Sequence, residues 1–299
     1  MKKLLIYILL VSVGLSCQKV IPLDAETKTP KLVLNTLFNE NDIWEVNVSR
    51  SLSVLDDGNL SNVDNATDVS VYDNSNNSLV ASLTFDGENY LSLANVKPIA
   101  GKEYRIEVSA PDYKSVTSID KCPRNVPIIS FDSSSTRTSF GDIRYETSID
   151  FQDPSGSNYY GIKMDIIEYQ RIFNSSTGDY DTTEINRTDA YLSTSNPVVD
   201  NSGPDSYARV LTFKDNLFDG QKQKITFDYY YYISGTPNQF SVRKVSLLSL
   251  TESTYKYLKS IETYRNVDGN PFAEPVQVYS NIENGFGIFG GQSSYVLEY

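Results

Sequence analysis

Histidine, the side chain that most often serves as a general base or as a zinc ligand, is missing from all 299 residues. Pairs in which histidine activates a serine or cysteine nucleophile are therefore excluded. Cys122 precedes Pro123 and has no such partner, so we interpret it as a small, partly buried side chain rather than a reactive thiol. Carboxylate chemistry and serine–lysine chemistry stay open, but no pair is singled out by its spacing. We therefore predict no catalytic residue, no cofactor and no enzymatic activity.

Acidic residues crowd one segment in the first third of the chain, at Asp56, Asp57, Asp64 and Asp68. Carboxylate oxygens are the ligands that calcium takes, so a calcium site is one chemical interpretation. The spacing does not match the D-x-[DN]-x-[DN]-G pattern of a calcium-binding loop. We favour solvated turn residues and predict no metal site.

Two further motifs concern binding rather than catalysis. The run Tyr229–Tyr232 is either an aromatic platform for sugars or peptides, or a strand with tyrosines on both faces, and we favour the strand. The glycine-rich segment Gly285–Gly291 has no lysine nearby, which disfavours phosphate binding. We interpret this segment as a strand whose glycines admit the close approach of another backbone or of a ligand.

The amino-terminal segment predicts a covalent modification. Two lysines precede the apolar run Leu4–Val13, which is too short to span a bilayer, since a spanning helix needs about 20 apolar residues. Its length and flanks suit a signal peptide. The following Leu15-Ser16-Cys17 resembles the bacterial lipobox, in which cleavage before a cysteine is accompanied by acylation of that cysteine. This resemblance implies that Cys17 carries lipid such as palmitate; an ordinary secretory signal with an incidental cysteine is the alternative.

Acyl chains on Cys17 would anchor the protein to a membrane, because each buried CH₂ contributes about 0.8 kcal/mol. The formal net charge of −12 becomes −14 when Lys2 and Lys3 leave with the signal peptide (−12 − 2 = −14). So acidic a surface argues against nucleic acid as a partner and against binding to anionic lipid by charge. Cys122 is then the one remaining thiol, so we expect no intrachain disulfide.

The chain divides into four predicted segments: a signal peptide (1–16), a tether (17–30) and two β domains (31–121 and 122–299). The tether lacks the apolar residues needed to pack. In the first domain Trp44, Val46 and Val48 alternate with polar residues, a period of two that is typical of half-buried strands. Several short strands separated by turn residues predict an Ig-like or transthyretin-like β-sandwich.

The second domain is predicted to be a larger antiparallel β domain with one short helix. Its expected strands are 145–151, 160–166, 208–213, 225–233 and 240–248, and residues 193–206 are expected to form a loop. Thr251 or Ser253 is expected to cap the helix, with Tyr257, Leu258, Ile261 and Tyr264 on one face. The predicted fold class is therefore mainly β.

Segments spread over nearly the whole chain resemble the DUF4249 family, outer-membrane lipoproteins of Bacteroidetes. They are Cys17–Leu23, Lys31–Asn35, Phe151–Pro154, Asn158–Tyr160, Phe213–Gly220, Gly269–Pro275 and Ser280–Gly285. The segment Gly101–Val108 also looks like the transthyretin-like or carboxypeptidase-regulatory modules of such systems. The resemblance implies an outer-membrane location and a TonB-dependent transporter as a neighbour, and it brings no catalytic residues.

These observations lead to one expectation and two alternatives. We expect a non-enzymatic outer-membrane lipoprotein that partners a TonB-dependent transporter, with its body on the cell surface favoured over the periplasmic face. A surface adhesin or glycan-binding module is the first alternative, because the β-rich sequence is unusually rich in tyrosine, serine, threonine and asparagine. A hydrolase that uses paired carboxylates is the second alternative.

Overall fold

The computed structural model describes residues 29–52, 62–93, 95–139, 141–200, 203–231, 238–267, 274 and 276–299. Cys17, the signal peptide and most of the tether lie outside these ranges, as do Asp56, Asp57 and Tyr232, so the predictions made for them stay predictions. The described residues form seventeen strands and one helix, which confirms the predicted mainly-β fold class. No helix within these ranges is long and apolar enough to cross a membrane.

The first half of the chain contributes seven strands. They are β1 (Leu32–Phe38), β2 (Glu45–Arg50), β3 (Asp68–Asp73), β4 (Ser78–Phe85), β5 (Tyr90–Ser92), β6 (Glu103–Ser109) and β7 (Val116–Lys121). The second half contributes ten strands and the helix. They are β8 (Ile128–Arg137), β9 (Ile143–Gln152), β10 (Tyr159–Asn174), β11 (Asp179–Asp189), β12 (Leu192–Thr194), β13 (Gly203–Ala208), β14 (Leu211–Lys214), β15 (Lys222–Tyr231), β16 (Gln239–Leu250), α1 (Glu252–Val267) and β17 (Phe286–Glu298).

The strands form one large sheet and one small sheet. The large sheet has the order β11-β10-β16-β17-β1-β2-β5-β4-β3-β6-β7, with β14 beside β10. The small sheet has the order β13-β12-β15-β9-β8 and belongs wholly to the second half of the chain. The large sheet therefore runs through both halves of the molecule, and its strand β17 lies between β16 of the second half and β1 of the first.

Buried side chains form two main clusters, one in each half. In the first, Trp44 is fully buried and its ring packs edge-on against Tyr104, with 4.9 Å between the ring centroids. Phe38 packs on Phe289 of β17 at 4.6 Å, so the last strand supplies part of the first core. The second cluster lies between the two sheets and includes Phe151, Tyr160, Phe213, Phe227 and Tyr229. The finer Ig-like or transthyretin-like assignment and the boundary at residues 121–122 stay predictions.

The pairing of β1 with β17 is parallel, unlike every other pairing between the described strands. The same strand β17 pairs antiparallel with β16 on its other side. On the far side of the first core, Thr117 of β7 forms a bridge to Glu283, just before β17. The sheet of the first half thus curls until its last strand meets the segment that leads into β17.

The glycines of the segment Gly285–Gly291 confirm the interpretation made from the sequence. A Cβ atom on Gly287 would overlap the carbonyl oxygen of Leu34 in β1, and one on Gly291 would overlap the carbonyl oxygen of Lys121 at the end of β7. Gly287 also has φ +103°, a conformation that L side chains rarely adopt. The close approach of these backbones is what lets β17 pair with β1 and pass beside the end of β7.

Several details of the strand and helix predictions were wrong. Residues 193–206 are not one loop, because β12 ends at Thr194 and β13 begins at Gly203. The strand predicted over 208–213 is divided between β13 and β14. The helix is capped as predicted, since the amide of Thr254 donates to Thr251 Oγ1 at 3.3 Å. However, its predicted apolar face is only half-buried, and Tyr264 is exposed, because only the first turn inserts against the sheet.

The carboxylate of Asp120, at the end of β7, connects the two halves. Its Oδ2 accepts hydrogen bonds from Thr251 Oγ1 at 2.6 Å and from the amide of Gly291 at 3.1 Å. Burial raises the pKa of Asp120 to about 6, although these hydrogen bonds act in the opposite direction. The Asp120 side chain therefore connects β7, the helix cap and β17. Its raised pKa means that the folded state disfavours the ionised form of this carboxylate.

A Gly287→Ala variant tests the backbone contact between β17 and β1. We expect it to lower the free energy of unfolding by about 2–4 kcal/mol, because the methyl group must displace a strand. Gly178→Ala is the matched control, since Gly178 also has a positive φ of 75° but nothing lies within 4 Å of its added Cβ. Gly178→Ala should lower the free energy of unfolding by only about 1 kcal/mol. Urea unfolding followed by circular dichroism measures both, and equal losses would show that the contact is not the constraint.

An Asp120→Asn variant tests this half-buried carboxylate. With its pKa raised from 3.8 to about 6, Asp120 binds its proton more tightly in the folded state than in the unfolded state. Its contribution to stability is therefore full below about pH 4 and is lost as the pH rises through 6. Between pH 4 and pH 7 the free energy of unfolding of the variant should therefore rise by about 1–3 kcal/mol relative to that of the wild type. Asp132→Asn, on the exposed face of β8, controls for the loss of one surface charge. A constant difference across this range would contradict the raised pKa of Asp120.

Candidate functional site

A tyrosine-lined cavity of about 370 Å³ opens between the two sheets of the second half. We call it the tyrosine pocket. Strands β10, β11, β13 and β15 supply most of its lining: Ile166, Glu168, Asn186, Thr188, Asp189, Ala190, Tyr191, Tyr207, Tyr230 and Tyr231. The volume falls in the range of about 300–1,000 Å³ that is typical of small-ligand sites. Its walls combine aromatic rings with a few amide, hydroxyl and carboxylate groups, as ligand sites commonly do.

The tyrosines at the end of β15 are positioned by the alternation of a strand. Tyr229 points into the core, where its ring stacks on Tyr145 at 4.9 Å and its hydroxyl bonds to that of Tyr299 at 2.8 Å. Tyr230 points the other way and is 47% exposed. The prediction of a strand with tyrosines on both faces is therefore confirmed for residues 229–231. Two of these tyrosines nevertheless line the pocket, so the two interpretations of this motif are not exclusive.

The exposed rings of the pocket come from three separate segments. Tyr191 follows β11 and is 53% exposed, Tyr207 lies in β13 and is 43% exposed, and Tyr230 lies in β15. Arg209 lies over the ring of Tyr191, with 5.3 Å from its guanidinium carbon to the ring centroid. Large aromatic side chains left exposed around a concave site are typical of a binding surface, because they lose little conformational entropy when they contact a ligand.

The polar groups of the pocket are held in fixed positions by neighbours. Tyr231 donates to Glu168 Oε1 at 2.6 Å, and Asn186 donates to Glu168 Oε2 at 3.2 Å. Burial and the bond to Glu168 raise the pKa of Tyr231 to about 12, so this phenol stays neutral near pH 7. Lys163 bridges Asp165 at 2.9 Å and Asp189 at 3.2 Å, next to the pocket. The arrangement offers donors, acceptors and rings to a ligand.

The described residues also contain an acidic cluster formed by Asp153, Asp215 and Asp219, with one oxygen of each within 4.8 Å of the others. Such a set could hold a divalent cation. The first two are buried and already have protein partners. Tyr160 and the amide of Gly220 donate to Asp153, and the amide of Asn158 donates to Asp215 at 2.7 Å. These hydrogen bonds explain why the three carboxylates lie close together without an ion. The resulting network fixes the surrounding loops.

This network joins segments that are distant in the chain. Gly156, in the loop between β9 and β10, donates its amide to Asp219 Oδ1 at 2.8 Å. Burial is the main cause that raises the pKa of Asp153, with the nearby carboxylates adding to it. The segments 151–154, 158–160 and 213–220, which were singled out by their resemblance to a family, thus meet at one place in the fold.

Cys122 is fully buried in the first core, as expected of an unreactive thiol. Its Sγ lies 4.0 Å from Oε2 of Glu40. Burial and this carboxylate raise the pKa of the thiol to about 11, so it is protonated near neutral pH. Asp64 and Asp68 lie apart from the acidic cluster, and the predicted lipidation site Cys17 lies outside the described residues.

Sequence reasoning identified Tyr230 and Tyr231 but missed Glu168, Tyr191 and Tyr207. Each of these three sits in a stretch of ordinary strand or loop sequence, and nothing in its spacing distinguishes it. The network of Asp153, Asp215 and Asp219 was also missed as a cluster, although the segments that carry it were quoted for their resemblance. The Asp-Pro and Asp-Gly pairs at 153–154 and 219–220 were the available signal, since both mark turns that can bring side chains together.

The described residues form a mainly-β protein with two main buried clusters and several concave surfaces. The sequence matches a family model, described as a domain of unknown function (DUF4249), over residues 18–297. The match covers nearly the whole chain, and the protein therefore belongs to the DUF4249 family. No curated protein matches the chain significantly.

Proposed function

We propose that this protein is a lipoprotein held at the outer membrane by lipid on Cys17, and that its body binds a ligand without chemical turnover as the accessory of a TonB-dependent transporter. The tyrosine pocket is the observation that carries ligand binding. Its three exposed rings surround anchored polar groups, an arrangement suited to holding a small molecule. The lipobox-like Leu15-Ser16-Cys17 supports the anchor, and the resemblance of the chain to transporter-associated lipoproteins supports the partner.

Tagged protein extracted from cells in mild detergent tests the anchor and the partner together. We expect the wild type to incorporate labelled palmitate and to enrich a TonB-dependent transporter over an untagged strain, as mass spectrometry would show. Cys17→Ser should take up no label, because the acylated atom is gone. If the protein takes up the label but never enriches a transporter, the partnership is refuted, whereas the lipid anchor is still supported.

Protease treatment of intact cells tests the location of the body. Removal of a tag placed after Tyr299 would support the cell surface, and a protected tag would favour the periplasmic face.

A surface adhesin or glycan-binding module that acts without a transporter is the second candidate. Tyrosine side chains favour it specifically, because each offers an apolar face for a sugar ring and a hydroxyl for hydrogen bonding. In the tyrosine pocket the rings of Tyr191 and Tyr230 stand beside Asn186 and Thr188, which can bond to sugar hydroxyls.

A glycan array probed with the detergent-solubilised protein tests this candidate. Tyr191→Ala and Tyr230→Ala should each weaken binding to any positive glycan by about tenfold, or about 1.4 kcal/mol, if these rings carry the contact. Tyr180→Ala is the matched control, because Tyr180 is as exposed as Tyr191 but does not line the pocket. A blank array, or equal losses in all three variants, would exclude glycan binding at this site.

A further inference from the structure

A second and larger cavity, of about 520 Å³, lies where the two halves of the chain meet. We call it the junction cleft. One side is formed by Gly101 and residues 120–126, at the end of the first half. The other side is formed by the loop between β9 and β10, the start of β10, the end of β16 and the first residue of α1. Clefts between packed units of this size are common positions for small ligands.

The walls of the junction cleft are fixed by hydrogen bonds. On one side the loop residues 154–158 are held by Asp215 and Asp219, whose carboxylates accept the amides of Asn158 and Gly156. On the other side Asp120 is held by Thr251 and the amide of Gly291. The cleft is therefore a preorganised space, which limits the entropy lost when a ligand binds.

The buried hydroxyl of Ser249 indicates that the cleft is built for a polar ligand. Ser249 lines the cleft and is 5% exposed, and its Oγ has no hydrogen-bond partner. A buried hydroxyl left without a partner is destabilising, so its presence calls for an explanation. A polar group in the cleft would satisfy it. Ser155, Ser157 and Asn158 add further hydrogen-bonding groups along the opposite wall.

Two cations line the cleft without carboxylate partners. Within the described ranges neither Lys121 nor Arg124 forms an ion pair, although the chain carries a net charge of −12. The guanidinium of Arg124 lies flat against Gly101, where a Cβ would stand 3.2 Å from Nη2. The absence of a side chain at residue 101 thus leaves room for the arginine at the rim. A guanidinium in this position can bind a carboxylate through two parallel hydrogen bonds.

We propose that the junction cleft binds the free carboxyl end of a short peptide, with the carboxylate on Arg124 and polar backbone groups on Ser249 and Asn158. Asp120 and Glu252 also line the cleft. They would repel a multiply charged anion such as phosphate, whereas a peptide brings one carboxylate together with amide and ammonium donors. The ring of Tyr159 supplies an apolar surface for a side chain. This site is separate from the tyrosine pocket and does not rest on the function proposed for it.

Equilibrium dialysis of the detergent-solubilised full chain against a tryptic digest of casein, read by mass spectrometry, tests the proposal. The digest offers many peptides with free carboxyl ends, and the same digest after chemical amidation of its carboxyl groups is the paired probe. We expect the wild type to enrich peptides from the first digest and not from the second. Arg124→Met should reduce the enrichment at least about tenfold, the usual size of a lost charge-assisted pair.

Variants separate this proposal from a general loss of structure. Ser249→Ala should reduce enrichment about threefold without lowering the melting temperature, because the hydroxyl that it removes has no partner in the folded chain. Arg137→Met removes an exposed arginine that does not line the cleft and should bind peptides like the wild type. Tyr191→Ala should also keep peptide binding, which distinguishes this cleft from the tyrosine pocket. No enrichment by the wild type, equal enrichment of the amidated digest, or full displacement by inorganic phosphate would overturn the proposal.

Discussion

The structure depends on the insertion of β17 between β1 and β16. This strand completes the sheet of the first half through a parallel pairing, and it continues the sheet of the second half through an antiparallel one. It also places Phe289 in the first core. The insertion is possible only because Gly287 and Gly291 carry no side chain where two carbonyl oxygens approach. A sheet that crosses from one half to the other resists their separation, because opening them would break a ladder of backbone hydrogen bonds.

The two cavities stand in different relations to this insertion. The tyrosine pocket lies between strands of the second half, and its polar groups are held by β10 and β11. The junction cleft depends directly on β17, since the amide of Gly291 and the cap residue Thr251 position Asp120 in its wall. The cleft should therefore respond to any change in how the halves meet, whereas the tyrosine pocket should not.

Local patterns in the sequence predicted most of the strands, because alternation of apolar and polar residues reflects which face is buried. Val46 and Val48 of β2 and Ile106 and Val108 of β6 are examples, all fully buried. Alternation says nothing about the partner of a strand, so the parallel pairing of β1 with β17 could not be predicted. The cavities were missed for the same reason: Tyr191, Tyr207 and Glu168 are brought together by long-range pairing. The glycines of β17 were interpreted correctly because the absence of a side chain is itself a local signal of close approach.

The position of β17 in the chain has a consequence for how the protein acquires its structure. The strand that closes the sheet of the first half and completes its core is separated from β1 by all the other described strands of the chain. Until β17 is paired, the free edge of β1 exposes unpaired backbone groups, which are a template for pairing with other chains. The first half can therefore complete its sheet only together with β17, a pairing of large sequence separation of the kind that slows folding.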